Sequence, residues 1–177
     1  MELREVAKPS EINAAVRRLA LRINRDYKKK NPVVVGVLKG SFIFMSDLVR
    51  RLNMPVHIDF IRAESYGSGC VSKGVVNIKM DIEADIGGRD VIIVDDILDT
   101  GLTLKAIIKH INTKKPATVS VCVLLDKPSR RETEVDVDYI GMVVEDKFLV
   151  GYGLDYSERY RNLKGLHELK QCGPEKP

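Results

Sequence analysis

The chain has no tryptophan, and only 6% of its 177 residues are aromatic. Cysteine is scarce too. Cys70, Cys122 and Cys172 stand about fifty residues apart without CxxC spacing, which gives neither a disulfide framework nor a thiolate zinc site. His57, His110 and His167 are equally scattered, and none has a second ligand at metal spacing, which argues against a transition-metal enzyme. No apolar run approaches the roughly 18 residues of a membrane span, and Met1-Glu2-Leu3-Arg4 opens no signal-peptide stretch; a cytoplasmic protein without membrane contact is expected. A GxxxxGK[ST] loop and a GxGxxG turn after a strand are both missing, which removes the phosphate clamps of nucleotide triphosphatases and dinucleotide enzymes. Charge of one sign is also lacking: 29 basic against 25 acidic residues leave +4, dispersed apart from Lys28-Lys29-Lys30. Such a run at a helix end complements the helix dipole and is only weak evidence for nucleic acid, although it leaves attraction of a phosphorylated small molecule open.

What is present suffices for one folded domain, expected over residues 1–172 with a loose tail at 173–177. Ser10 is the expected N-cap of a helix, because Ile12, Ala15, Val16, Leu19, Ala20, Ile23 and Tyr27 then recur at spacings of 3 and 4 and form one apolar stripe. Val33 to Leu38 is a β-branched run of the kind buried on both faces of a sheet, followed by Lys39-Gly40-Ser41 and an amphipathic stretch to about Leu52. The figure recurs as a strand at Val91 to Val94, a polar turn at Asp95 to Gly101, a helix at Leu102 to Ile111 and a strand at Thr118 to Leu125. Two βαβ-like units predict an α/β fold with a mostly parallel sheet. His57 to Ala63 and Gly74 to Met80 read as further strands flanking a polar connection, Glu64 to Lys73, that is expected to move. Tyr139 to Val144 reads as a late strand, and Phe148 to Leu163 as the segment that closes the domain.

Ligands of open α/β sheets bind beyond the carboxyl ends of the strands. There the segment from Asp95 to Thr103 places three carboxylates and two hydroxyls within nine residues, just before a helix. Thr100 to Thr103 can turn successive backbone N–H groups toward one point, with Gly101 admitting close approach and the helix dipole adding positive potential: a phosphate cradle. Asp95 and Asp96 need another explanation, because at about 6 Å and an effective dielectric near 20 they repel by roughly 3 kcal/mol. Vicinal sugar hydroxyls, or Mg²⁺ shared with a polyphosphate, would accept that charge. The bland alternative is an Asp-rich helix cap on the surface. Asp99-Thr100-Gly101 also spells the aspartic-protease tripeptide, but those enzymes are all-β and here the triplet opens a helix.

The stretch from Val91 to Thr103 resembles the phosphoribosyl-pyrophosphate (PRPP) signature of type I phosphoribosyltransferases: four apolar residues, two acids, a spacer, then Thr-Gly-x-Thr. Leu38-Lys39-Gly40-Ser41 is similar to that family's pyrophosphate loop, Ser65-Tyr66-Gly67 to its mobile catalytic loop, Leu125-Asp126-Lys127 to its purine-reading segment, and Asp146 to Tyr156 to its purine hood. The set resembles the hypoxanthine (hypoxanthine-guanine) branch of the family from about Val33 to Arg161.

The resemblance implies a central, mostly parallel sheet flanked by helices, with a small hood formed mainly by the N- and C-terminal segments. It also implies purine salvage: Mg²⁺-dependent transfer of 5-phosphoribosyl from PRPP to N9 of hypoxanthine or guanine, releasing pyrophosphate. On this basis Asp95 and Asp96 hold the ribose hydroxyls and the metal, Asp99 is the general base or acceptor near purine N7, and Thr100, Gly101, Leu102 and Thr103 hold the 5-phosphate. Lys39, Gly40 and Arg161 meet pyrophosphate, and the family often has a cis peptide at this Leu-Lys position. Ser65 and Tyr66 belong to the closing loop. Lys127 reads the 6-oxo group, Lys147, Phe148 and Leu149 frame the base, and Asp155 is a further metal ligand. A homodimer or homotetramer is implied by the family alone. Taken singly, Lys127 reads as a solvated lysine, Phe148 as core and Asp155 as a helix cap; Gly153 stands where the family has a small residue and could loosen the hood. The alternatives are a xanthine-preferring relative and an RNA-binding transcriptional attenuator of the same fold. In such attenuators the position of Asp99 is usually not acidic.

Overall fold

The computed structural model describes residues 2–65 and 76–170. Its elements in order are strand β1 (Glu2–Ala7), helix α1 (Pro9–Asp26), β2 (Val33–Leu38), α2 (Phe42–Val49), β3 (His57–Ser65), β4 (Val76–Met80), β5 (Asp90–Leu98), α3 (Leu102–Thr113), β6 (Thr118–Asp126), β7 (Tyr139–Val143), β8 (Leu149–Val150) and β9 (Leu166–Lys170). Six strands form the main sheet in the order β4-β3-β2-β5-β6-β7. All neighbours run parallel except β4 on β3. The expected α/β architecture is therefore the one observed.

Alternation along the strands divides the core in two. Val34, Ile92, Val94, Cys122 and Leu124 face α1 and α2, where the stripe Ile12, Ala15, Val16, Leu19, Ala20, Ile23 and Tyr27 is buried as its spacing predicts. Val33, Val35, Val37, Val91, Ile93, Val121 and Val123 face Leu104, Ile107 and Ile111 of α3. A strand buried on both faces cannot alternate polar and apolar residues, which is why both βαβ units were readable.

Two boundaries differ from the sequence reading. Helix α1 starts at Pro9 with Lys8 as its N-cap, two residues ahead of Ser10. Proline at the first helical position needs no N–H partner, and the Glu11 carboxylate accepts the Lys8 backbone N–H at 2.8 Å, so the helix is closed without Ser10. The other correction is larger. Strand β5 continues to Leu98, because its ladder with β6 runs through Asp95 opposite Val123, Ile97 opposite Leu125 and Leu98 opposite Asp126. Asp95 and Asp96 are thus strand residues and not part of a turn.

A second sheet, in the order β1-β9-β8, was not assigned to strands from sequence. The chain's first strand pairs antiparallel with its last described one, Glu2 opposite Lys170, and Leu149 lies opposite Glu168. Ala7, Leu149, Tyr152 and Leu166 join it to the α1 and α2 side of the core. Tyr66, Gly67 and most of the polar connection, Cys70, Cys172 and the tail lie outside the described residues.

Phe44 on α2 is fully buried between that helix and the sheet. Phe44→Ala is expected to cost about 3–5 kcal/mol in urea denaturation; a loss below about 1 kcal/mol would show that α2 is not clamped there.

Candidate active site

β2 has β3 on one side and β5 on the other, so the sheet changes direction between β2 and β5. A crevice opens at such a switch point beyond the strand ends. The two strands stay paired only through Gly36 opposite Val94 and then diverge. Into the gap come Lys39 and Gly40 from the end of β2 and Asp95 and Asp96 from β5. The Leu38–Lys39 peptide is cis. Asp96 lies so close to Gly40 that a Cβ on residue 40 would overlap its carboxylate.

Successive strand residues point to opposite faces, yet at the end of β5 the two acids keep their carboxyl groups in contact. Asp96 is the acid against Gly40. Asp95, 7% exposed, lines a small cavity of about 80 Å³ together with Ile97, Leu98, Asp99, Thr100, Gly101, Thr103 and Leu104. The two carboxyl groups nevertheless stay within reach of each other and border the crevice as neighbours. They remain electrically joined, because the Asp95 carboxylate accepts the Asp96 N–H at 3.0 Å. Burial first, and then the charge of Asp96, push the Asp95 carboxyl well above the usual carboxylate range. Burial raises Asp96 as well, against the pull of hydrogen bonds and of Arg161. Among the described residues neither acid is in an ion pair.

The cavity's far wall is the loop into α3. Gly101 has φ +87°, and a Cβ there would strike the Thr133 carbonyl, so glycine is required on both counts. The Thr100 carbonyl accepts N–H groups of Glu132 and Thr133, each at 3.0 Å, and the Thr100 hydroxyl accepts the Leu102 N–H at 3.4 Å. The first turn of α3 therefore faces the cavity with its N–H groups outside the helix ladder. Asp99 is held by Arg130 at 3.3 Å, and Arg131 pairs with Asp126 at the end of β6. Neither arginine was singled out from sequence, and their spacing to the acids, 31 and 5 residues, is no helix or strand period.

Lys127 follows β6, its N–H bonded to the Leu98 carbonyl at 2.9 Å, which ties it to the Asp99 loop. It is only 6% exposed, so it is no solvated lysine. Its Nζ donates to the Lys147 carbonyl at 2.9 Å and stands 3.8 Å from Asp146. Lys147 itself turns outward to Glu145 at 2.6 Å. Phe148 is 51% exposed and stands edge-on to Tyr156 with centroids 5.7 Å apart, so it is not core. Leu149 is buried in β8. The fully apolar reading of Phe148-Leu149-Val150 thus holds only for the last two.

A third group covers Lys39. Gly153, with φ +105°, sits directly on the Gly40 carbonyl, where any Cβ would overlap it. Glycine at 153 therefore does not loosen this segment but brings it into backbone contact with the β2 turn. Arg161 donates to the Gly153 carbonyl at 2.8 Å and pairs with Asp155 at 2.8 Å, while Lys39 pairs with Glu158 at 3.0 Å. Ser65 ends β3 two strands from β5, opposite Val76. The structure thus gathers Lys39, Gly40, Asp96, Asp155 and Arg161 in one place, Asp95 and Asp99 to Thr103 in a second, and Lys127, Lys147 and Phe148 in a third, all at the carboxyl edge of the sheet.

Residues 4–157 match the phosphoribosyl transferase domain family. The chain belongs to that family. It is 47% identical over 170 residues to the hypoxanthine-guanine phosphoribosyltransferase of Aquifex aeolicus, covering 96% of both chains. To the hypoxanthine phosphoribosyltransferase of Haemophilus influenzae it is 46% identical over 157 residues, 87% of this chain and 88% of that one. The crystal structure of the hypoxanthine phosphoribosyltransferase from Staphylococcus aureus superposes with a TM-score of 0.91 at 41% identity, covering 94% of this chain and 91% of the other.

The raised acids make a stability prediction. A carboxyl that binds its proton more tightly folded than unfolded stabilises the fold fully below the unfolded value near 3.8, and that stability is lost as pH rises through the folded value. Asp95→Asn, measured in chelator, is therefore expected to raise Tm at pH 8 by roughly 2–4 °C, about 1 kcal/mol. The gain should shrink as pH is lowered toward 5, and a gain independent of pH would remove the assigned burden.

Proposed function

We propose that this chain transfers the 5-phosphoribosyl group of PRPP to N9 of hypoxanthine or guanine, forming the nucleoside monophosphate and pyrophosphate, as a purine salvage enzyme. The observation that carries this reading is the meeting of two unlike groups at the β2–β5 crevice: the acids, Asp95 buried and Asp96 half-buried, and beside them the α3 N-terminus with the cavity that Asp95 also lines. A phosphorylated sugar matches both at once. Its terminal phosphate fits the N–H groups of Thr100 to Thr103, and its hydroxyls can donate to Asp95 and Asp96.

In this reading the bond from ribose C1 to pyrophosphate breaks while the bond from C1 to N9 forms, and positive charge develops on the sugar. Asp95 and Asp96 place a negative field beside that centre, which favours the transition state over the neutral sugar. Asp99 accepts the purine proton at N7, and Arg130 fixes the direction of its carboxylate. Lys39, the Gly40 backbone and the Arg161 guanidinium receive the departing pyrophosphate. The Lys127 ammonium donates to the 6-oxo group, and the exposed Phe148 ring offers its face to the base. Ser65, Tyr66 and the connection they begin would cover the reacting atoms and exclude water.

The donor set fits Mg²⁺. Among the described residues no three His, Cys, Asp or Glu side chains converge on one point. Mg²⁺ shared with substrate phosphates takes only one or two protein carboxylates and keeps the rest of its sphere for phosphate and water, and the neighbouring oxygens of Asp95 and Asp96 are donors of that kind. Asp95 and Asp96 would hold it, and Asp155 would join only by giving up Arg161. Bound there, the ion would neutralise the pyrophosphate oxygens as they take up charge.

Among the described residues no helix is long and apolar enough to cross a membrane. The reading places the enzyme in the cytoplasm, as a dimer or tetramer, without nucleic acid. A hypoxanthine-guanine-xanthine phosphoribosyltransferase also superposes, with a TM-score of 0.85 at 35% identity, so xanthine belongs in the assay.

Purified protein with PRPP and Mg²⁺ is expected to consume hypoxanthine or guanine and to leave adenine and uracil unchanged; inertness toward every 6-oxopurine overturns the proposal. Excess chelator should stop the reaction, and undiminished turnover would exclude the metal. Lys127→Ala should raise KM for the base at least tenfold with PRPP affinity nearly constant, whereas equal losses for both substrates would show that Lys127 is not the base reader.

A further inference from the structure

Lys39 and Arg161 are the cations that the proposed function assigns to pyrophosphate, and a carboxylate already engages both. Glu158 Oε2 lies 3.0 Å from Lys39 Nζ, and both Glu158 oxygens lie 3.4 Å from Arg161 Nη2. The placement is built rather than incidental. Ser157 and Glu158 both hold left-handed backbone, with φ of 50° and 62°, which residues with a side chain adopt rarely. The Glu158 N–H is anchored on the Asp155 carboxylate at 2.8 Å. The whole segment is pressed onto the β2 turn by Gly153 over Gly40.

Arg161 does not depend on this carboxylate for its orientation. Its Nη1 donates to the Gly153 carbonyl at 2.8 Å and its Nη2 pairs with Asp155 at 2.8 Å, both shorter than either approach to Glu158. Removing the Glu158 charge would therefore free donors without unseating the guanidinium. Glu158 and Lys39 are also exposed enough to part, with side chains 65% and 47% accessible.

We propose that Glu158 is a built-in competitor for the pyrophosphate subsite. Its carboxylate takes the donors of Lys39 and Arg161, has to swing out when the diphosphate of PRPP enters, and returns as pyrophosphate leaves. The inference rests on the functional reading above and adds to it a residue that sets pyrophosphate affinity from outside the reacting atoms. An exposed pair of this kind shifts an equilibrium by up to about fivefold.

The test is calorimetric titration of magnesium pyrophosphate into the intact protein and into Glu158→Gln, Lys39→Ala and the double variant, with steady-state KM for PRPP alongside. Glu158→Gln is expected to bind pyrophosphate about two- to fivefold more tightly and to lower KM for PRPP by a similar factor. In the Lys39→Ala background most of that gain should vanish, because one of the contested donors is gone. Weaker binding by Glu158→Gln means that the carboxylate positions its partners, and overturns the proposal. So does unchanged binding, and so does an equal gain in both backgrounds, which would be the general effect of removing a negative charge. Failure of the unaltered protein to bind pyrophosphate at all overturns the functional reading itself, and is thereby distinct from the other outcomes.

Discussion

Two carboxylates held side by side under little solvent, with no cation paired to either among the described residues, are the constraint around which the site is arranged. Burial of unpaired charge is what a fold ordinarily avoids, since desolvation disfavours the ionised form. Here the sheet itself imposes it. β5 is pinned to β6 as far as Leu98, so Asp95 and Asp96 cannot swing into solvent as turn residues could. On the other side β2 has already parted from β5 after Gly36, and the space between them is filled by the Asp96 carboxylate against a residue without a side chain. The result is an acidic wall that is rigid before any substrate arrives, and fixed groups of this kind are what preorganised stabilisation of developing positive charge requires.

The same ladder explains what was legible in the sequence. Val33 to Leu38 and Val91 to Val94 announce themselves because strands buried on both faces read as unbroken aliphatic runs, and α1 does because its stripe keeps helical spacing over five turns. Past Val94 the signal stops although the strand does not, since aspartate is depleted in strands and its presence reads as a turn. The small sheet had no such signal: β1 is exposed at every position but Ala7, β8 has two residues, and β9 alternates imperfectly. Within the site, Asp95 to Thr103 could be found because its residues are contiguous. Arg130 could not, because it meets Asp99 across 31 residues; nor could Glu158, whose bond to Lys39 spans 119 residues, although Asp155 and Arg161 stand three residues to either side of it.

Backbone contact is the second device. Gly153 on Gly40, and Gly101 under the Thr133 carbonyl, are places where two loops touch without side chains between them. Each joins a segment from the second half of the chain to a turn of the central sheet: the 153–161 segment to the β2 turn, and the 131–133 segment to the α3 entry. Loop positions fixed this way are set by the van der Waals radius of a carbonyl, and side-chain rotamers have no part in them. Three groups of residues distant in sequence are thus held at one edge of the sheet.

In the proposed function the lysine that follows β6 turns such fixing into selectivity. The Lys127 ammonium carries three donors and no acceptor, and one donor is spent on the Lys147 carbonyl at 2.9 Å. With the side chain 8% exposed, little water is available to satisfy the others, so a base reaching it has to bring an acceptor. In the proposed function a 6-oxo group does so, whereas a 6-amino group presents hydrogens to hydrogens and leaves the ammonium only the Lys147 carbonyl and the more distant Asp146 carboxylate, a mismatch that discriminates strongly. Shape plays little part in this, because the two groups are nearly equal in size. A change of base preference in this frame would therefore have to replace the donor at position 127 or its tether at the Lys147 carbonyl, and widening the opening beside Phe148 would not achieve it.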